Sequence, residues 1–317
     1  MKPYKPSNIA PNQGKQLLAI SSVATGVVVG GVVAFISQFF YFIVLFPLVM
    51  GGASGAAIAW AVHKGKVRNP LVAMSFAALS GLVMYGTMNY GQYLLFWQEA
   101  FKTAEKEMPQ TDRATVNQML ETYLQGQTGS PGFVGYLKYS AKKGIDITKS
   151  GSKIHLNETF TWFYWLIELA VIEGLAIASA RAAALAPFSE DANDWYDAKQ
   201  LIGMVETSAK EEILGYINNE HFGKVGSMLN LQWDIPYPRT ELHMQSCAAA
   251  PSSDSILFLS IATKDSKGNV ALKELCSGLI SSLQRADLTR AIEDKKTEQK
   301  TEAEPKNEKP EEEDNQT

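Results

Sequence analysis

The stretch LLAISSVATGVVVGGVVAFISQFFYFIVLFPLVMGGASGAAIAWAV, Leu17 to Val62, contains no Asp, Glu, Lys or Arg. It is more than twice as long as the roughly 20 apolar residues that carry a helix across a bilayer. It therefore predicts two membrane spans joined by a tight turn, over about 17–37 and 40–63. Ser37-Gln38 is the least apolar point near its middle, and the turn is expected there.

Outward from this stretch, Pro70 to Trp97 is a second uncharged apolar run and predicts a third span over 70–97. A fourth span is expected over 159–187; its run from Phe160 to Pro187 carries Glu168, Glu173 and Arg181. A cleaved signal peptide is not expected, because the apolar region is too long and a second span follows at once. Lys2, Lys5 and Lys15 flank the first span, and Lys64, Lys66 and Arg68 follow the second, with no acid in either flank. Basic flanks stay in the cytoplasm. The N-terminal segment 1–16 and the region after the fourth span are then cytoplasmic. The loop 98–158 is an extracytoplasmic cap. The aromatic run FTWFYW, Phe160 to Trp165, suits the outer interface.

In the cap, Thr111 to Gln125 reads as an amphipathic helix ended by Gly126, and Pro131 to Lys143 as a second ended by Gly144. The segment IDITKSGSKIHL alternates about Ser150-Gly151 as a hairpin would. Residues 188–286 read as a small soluble α+β domain. Ser208 and Glu211 have capping-box spacing. RTELHMQS, SILFLSIAT and NVALKEL read as three strands, and a closing helix is expected from about Ser277 toward Ile292. From residue 287 to 317 the chain is mostly Lys, Glu, Pro and Asn, which predicts a disordered charged tail. The fold class is thus membrane all-α with four transmembrane helices, plus the α+β domain and the tail.

The 317 residues are 46% hydrophobic and carry a net charge of −4, which gives no basic footprint for nucleic acid. Phosphate-loop, G-x-S-x-G, H-E-x-x-H and dinucleotide signatures are absent, and no nucleophile–base pair stands out. The four histidines lack ligand spacing and the two cysteines, Cys247 and Cys276, lack paired spacing. Neither a metal nor a cofactor is expected.

Three groups of residues remain as candidates. Gly26/Gly30 and Gly51/Gly55 have the small-xxx-small spacing that lets helices approach closely. Packing of the first two spans on each other is the favoured reading, and homo-oligomerisation the alternative. Glu168 and Glu173 are expensive in a membrane and so rarely idle. Counting down from Trp97 puts Asn89 and Gln92 level with Glu168, and Tyr85-Gly86 level with Glu173. The expected outcome is an interhelical clamp, with a proton or solute pathway as the alternative. Phe188, Trp195 and Tyr196 read as an anchor at the membrane exit.

The stretches LFPLVMG (45–51), GKVRNP (65–70) and WLIEL (165–169), and the F-x6-W-Y segment (188–196), resemble a widespread family of uncharacterised bacterial multi-pass membrane proteins. That resemblance implies the bacterial inner membrane and a zinc-ribbon-like cytoplasmic domain. Members carry C-x-x-C where this chain has Ser189 and Ala192, and C-x-x-C-P where it has Cys247, Ala250 and Pro251. Three of four thiolates are missing, so the implied ribbon has lost its metal. Phe188, Trp195 and Tyr196 are then expected to pack against the strands carrying Leu242, Met244, Leu257 and Leu259. Taken together, the sequence leads to a non-enzymatic, membrane-anchored binding or scaffold protein. Its partners are the lipid bilayer and an unidentified protein that meets the cytoplasmic domain. The alternative is a small-solute or proton transport component using Glu168 and Glu173.

Overall fold

A computed structural model describes residues 1–40, 42–149, 152–232, 234–250 and 252–303. The chain divides into two compact units: residues 7–186, and residues 1–6 together with the chain from Pro187 onward.

The first unit is helical. Helices α1 (Asn12–Ile36), α2 (Leu45–Lys64) and α3 (Pro70–Glu107) are each long and apolar enough to cross a bilayer. So is a later helix, Glu158–Ala184, here α6. Helix α1 packs on α3 and α2, and α6 packs on α2 and α3. Large side chains point outward: Val28, Leu82, Leu166 and Ile167 are each more than half exposed. The interior mixes small residues with a few large ones: Ser22, Ser54, Ala73, Ala77, Ala176 and Ala180 are fully buried, beside a cluster of Met50, Met84 and Ile172. This inversion of a water-soluble bundle suits helices held by close packing and polar contacts rather than by expulsion of water. Ser54 Oγ donates to Ser80 Oγ at 2.9 Å between α2 and α3, and Ser22 Oγ reaches the Phe76 carbonyl at 2.8 Å between α1 and α3.

Three of these helices depart from the sequence reading by five residues or more, the first being α1, which starts at Asn12 rather than residue 17. Helix α2 starts at Leu45, not residue 40, after a connection that includes the exposed Phe39, Phe40 and Phe42. Pro47 sits in its first turn, where a missing N–H costs nothing; one turn deeper it would break the ladder. Helix α3 runs to Glu107, ten residues past Trp97. Its first turn is fixed by Asn69, whose side chain accepts from Val72 N at 3.1 Å, and by Pro70.

Between α3 and α6 lie α4 (Arg113–Thr128), α5 (Gly132–Lys143) and the antiparallel pair β1 (Ile145–Lys149) and β2 (Ser152–Leu156). The expected turn Ser150-Gly151 falls outside the described residues. Asp112 caps α4 by accepting from Thr115 N at 2.8 Å. The helix continues through Gly126 and stops at Gly129, whose φ of 72° is the left-handed conformation that favours glycine. Asn157, of the Asn157-Glu158-Thr159 sequon, caps α6 by accepting from Phe160 N.

The second unit begins with a two-residue pair, β3 (Phe188–Ser189) and β4 (Asp194–Trp195). An antiparallel sheet follows in the order β5 (Gln200–Glu206), β6 (Arg239–Gln245), β7 (Ser255–Lys264), β8 (Val270–Ile280). Strand β5 was not anticipated. Its register shifts between Leu201 and Gly203, which breaks the alternation that would have marked it. Helices α7 (Lys210–Asn218), α8 (Phe222–Met228) and α9 (Ser282–Ala303) pack on the sheet. Leu242, Leu257 and Leu259 meet Ile213, Ile217, Phe222, Val225 and Leu288 in the core. Residues 1–6 belong to this unit: Leu279 N donates to the Lys2 carbonyl at 2.7 Å, and Met1 packs at the core's edge.

The predicted capping box at Ser208 and Glu211 does not form. Ser208 lies in a single 3-10 turn and donates to Glu206 Oε2 at 3.1 Å. A box forms elsewhere, at the start of α9. Gln284 N donates to Ser281 Oγ at 3.3 Å and Ser281 N to Gln284 Oε1 at 2.9 Å. Ser277 to Ile280 are strand, so the helix starts later than expected. It also ends later. Residues 287–303 are helical where disorder was predicted, because Leu288 and Ile292 bury against the core and Lys295 Nζ donates to the Ser227 carbonyl at 2.9 Å. The rest of the expected tail, 304–317, lies outside the described residues.

Candidate functional site

The four residues expected to form one polar network occupy three separate places. Glu168 is 3% exposed. Tyr164 is four residues earlier on α6 and therefore on the same face; its hydroxyl donates to Glu168 Oε1. From α3, the Tyr85 hydroxyl stands 3.2 Å from Glu168 Oε2. Asn89 instead donates to the Tyr85 carbonyl at 2.8 Å, within its own helix, and Gln92 donates to Ser37 Oγ at 3.4 Å. The clamp between α3 and α6 is therefore made by the Tyr85 phenol, with Tyr164 bonding the same carboxylate from within α6. Tyr164 was findable from the sequence by its four-residue offset from Glu168.

Glu173 lies one turn nearer the α2–α3 connection than expected. It abuts Gly81 rather than Tyr85-Gly86, and a Cβ built on Gly81 would stand 2.5 Å from Glu173 Oε1. Both carboxyl oxygens are buried without a hydrogen-bond partner among the described residues.

Each glycine pair faces a helix other than the one expected. A Cβ on Gly26 would stand 2.6 Å from a Val83 methyl, and one on Gly30 would strike the Met84 carbonyl, both on α3. A Cβ on Gly51 would stand 3.0 Å from the Ile172 carbonyl, and one on Gly55 2.6 Å from Ser179 Oγ, both on α6. The close approach is thus between α1 and α3 and between α2 and α6.

Phe188, Trp195 and Tyr196 make a cluster within the sheet unit. The Phe188 and Trp195 rings meet edge-on, 5.0 Å between centroids, as the β3–β4 register requires. Phe188 N donates to the Tyr4 hydroxyl at 3.0 Å, and the Tyr196 hydroxyl donates to the Asp254 carbonyl at 3.0 Å. Burial pushes the Tyr196 phenol up to about 12, with the Asp254 carboxylate adding to it. The core around Leu242, Leu257 and Leu259 is filled by α7, α8 and α9, not by these aromatics as expected.

Ser189 and Ala192 form a tight turn in which Ser189 Oγ accepts from Ala192 N at 3.2 Å. Cys247 is buried and its carbonyl accepts from Ala250 N at 3.2 Å. Among the described residues, no group of three His, Cys, Asp or Glu could hold a metal ion. His243 is engaged elsewhere, with Nε2 3.1 Å from Glu241 Oε2. Arg239 Nη2 is 2.8 Å from the other Glu241 oxygen. Alternation along β6 puts these three on one face of the sheet. The buried carboxylate is satisfied on both sides, which makes this row a structural lock.

Cavities cluster around the α3 extension. One of about 740 Å³ opens between α3, α5 and the end of α1, lined mainly by polar side chains. A second, apolar one of about 460 Å³ lies between α3 and α4. The sheet unit has one of about 330 Å³ beneath α9, lined by Leu201, Met244 and Ile292. Glu168 and Glu173 line none of these three.

No family model, curated protein or solved structure matches the chain.

Proposed function

We propose that the chain is a multi-pass protein of the bacterial inner membrane with both termini in the cytoplasm. It acts as a non-enzymatic binding or scaffold protein through its sheet unit. The observation that carries this reading is the outer half of β8. It is the last strand of the sheet, residues Val270 to Glu274 are exposed, and Val270 and Leu272 are each about half exposed. Unpaired edge backbone with apolar side chains is a template for strand addition by a partner protein. The Lys2–Leu279 pairing supports the sidedness, because it ties the N-terminal residues to the sheet that follows the fourth apolar helix. An even number of crossings satisfies that link. The resemblance to the uncharacterised bacterial family belongs to the same proposal, with Ser189 and Ala192 standing where its members carry cysteines.

A photo-crosslinking side chain at Leu272, in intact membranes, should capture one discrete protein partner, while one at the exposed Glu212 should not. Lys273→Pro should abolish the capture. Capture of lipid alone, or equal labelling from both positions, would rule out the strand-edge reading. For topology, a lone cysteine at Ser130 should react with an impermeant maleimide in whole cells and one at the exposed Ser252 should not. The reverse pattern inverts the proposal.

A second reading rests on Glu173, whose orphan carboxyl oxygens mark it as the acid a proton or small-solute pathway would use. Glu168 is already occupied by two phenols. Proteoliposome flux abolished by Glu173→Gln would favour this reading, and flux indifferent to both Glu173→Gln and Glu168→Gln would end it.

A further inference from the structure

We propose that the 740 Å³ cavity of the helical unit binds the headgroup of a zwitterionic phospholipid. Lys102 and Lys143 take the phosphodiester and Glu99 takes the ammonium. All three side chains line this one cavity. Its volume lies within the roughly 300–1,000 Å³ of small-molecule sites. The charges in it are unspent. Lys138 and Lys142, on the same helix as Lys143, are tied to Ser130 Oγ and the Gln127 carbonyl, each at 2.8 Å. Lys102, Lys143 and Glu99 have no side-chain partner among the described residues. Two cations beside one anion match a ligand that carries a phosphate and an ammonium together.

The depth of the cavity identifies the ligand's source. On the proposed membrane reading, with Trp97 as the interfacial aromatic of its span, Glu99 and Lys102 follow it by about 3 and 7.5 Å along α3, at roughly 1.5 Å per residue. Half the difference between hydrocarbon and full bilayer thickness is about 5–7 Å, so both charges fall at headgroup level. The floor of the cavity is the Gln92–Ser37 hydrogen bond. Phe39, Phe40 and Leu94 are exposed close by in sequence, an apolar surface for the acyl chains. A soluble phosphoester would leave that surface unused.

The test uses the full chain reconstituted in bilayers of phosphatidylcholine with equal parts phosphatidylethanolamine and phosphatidylglycerol. Lipid retained on the released protein is counted by native mass spectrometry. Phosphatidylethanolamine should be enriched about tenfold over phosphatidylcholine, because an ammonium donates hydrogen bonds to Glu99 and a quaternary amine cannot. The pair Lys102→Gln and Lys143→Gln should remove retention of every phospholipid. Glu99→Gln should equalise the ethanolamine and choline lipids while keeping phosphatidylglycerol bound. All three positions are exposed, and an unchanged melting curve separates lost binding from lost fold. Equal retention of the three lipids by the parent protein, or unaltered enrichment in the lysine double variant, overturns the proposal. So does displacement of the lipid by glycerophosphoethanolamine at millimolar concentration, which would assign the site to a soluble phosphoester.

Discussion

Removing the acid at the centre of the α3–α6 contact should weaken the helical unit by a small and calculable amount. Glu168→Leu deprives two phenols of their acceptor, at Tyr85 across the helix pair and at Tyr164 within α6. An interhelical hydrogen bond in a membrane protein is worth about 0.6 kcal/mol on average and about 1.7 kcal/mol at most. A stranded buried hydroxyl would add about 1–3 kcal/mol. Both phenols have a fallback, however: Tyr85 lies 3.3 Å from the Trp165 carbonyl and Tyr164 lies 3.4 Å from the Ile43 carbonyl. The loss should therefore sit near the lower sum, about 1–2 kcal/mol, and Glu168→Gln should cost about half of that because an amide oxygen still accepts. Reversible unfolding in bicelles of the parent, Tyr85→Phe, Glu168→Leu and the double variant gives the coupling directly. A coupling of about 0.6 kcal/mol is expected. Additive single effects would falsify the clamp, since two residues that share a hydrogen bond cannot be independent.

Gly30→Val and Gly55→Val should each destabilise by about 1–3 kcal/mol through overpacking, whereas Gly31→Val and Gly52→Val, whose added Cβ would meet nothing, should be near neutral in the same assay. The sheet unit should lose stability as pH rises from about 10, where an unfolded tyrosine ionises, toward about 12, where Tyr196 ionises in the fold. The unfolded chain then binds fewer protons than the folded one, so alkali favours unfolding. Tyr196→Phe should flatten that part of the pH–stability curve, and an unchanged slope refutes the assignment. Elemental analysis should find no stoichiometric zinc, and a chelator should leave melting unchanged. One zinc per chain, lost together with the fold, would show that the turns at Ser189 and Cys247 recruit a metal after all.

The apolar helices were legible because length without charge is a strong signal, and 17–62 carries it twice over. Depth within a helix pair was not legible. The register of Glu168 and Glu173 was counted from Trp97 as the helix end, but α3 continues to Glu107, so the count along it started from the wrong end. The same error moved both acids by about one turn and hid Tyr85. The glycine spacing announced close approach correctly in kind, yet spacing on one helix says nothing of which neighbour it faces. In the sheet unit, β5 was lost to a bulge and the second half of α9 to its composition. Its polar face resembles a solvated tail, and only Ser281, Gln284, Leu288 and Ile292 betray a capped, half-buried helix. Ser208 and Glu211 show the converse, a spacing that matches a cap in a backbone that already bonds elsewhere.

The bond between Lys2 and Leu279 has a consequence for the order of events during synthesis. Lys2 can only be seated after Leu279 has emerged from the ribosome, roughly 280 residues later. At about 5–20 residues per second that wait is on the order of 14 to 56 seconds. Throughout it residues 1–6 have no partner strand, because the edge of the sheet that will receive Lys2 does not yet exist. Closure of this clasp is therefore a late, assembly-reporting step. A chain stalled or cut before β8 leaves residues 1–6 without the strand they pair with, open to proteases and chaperones.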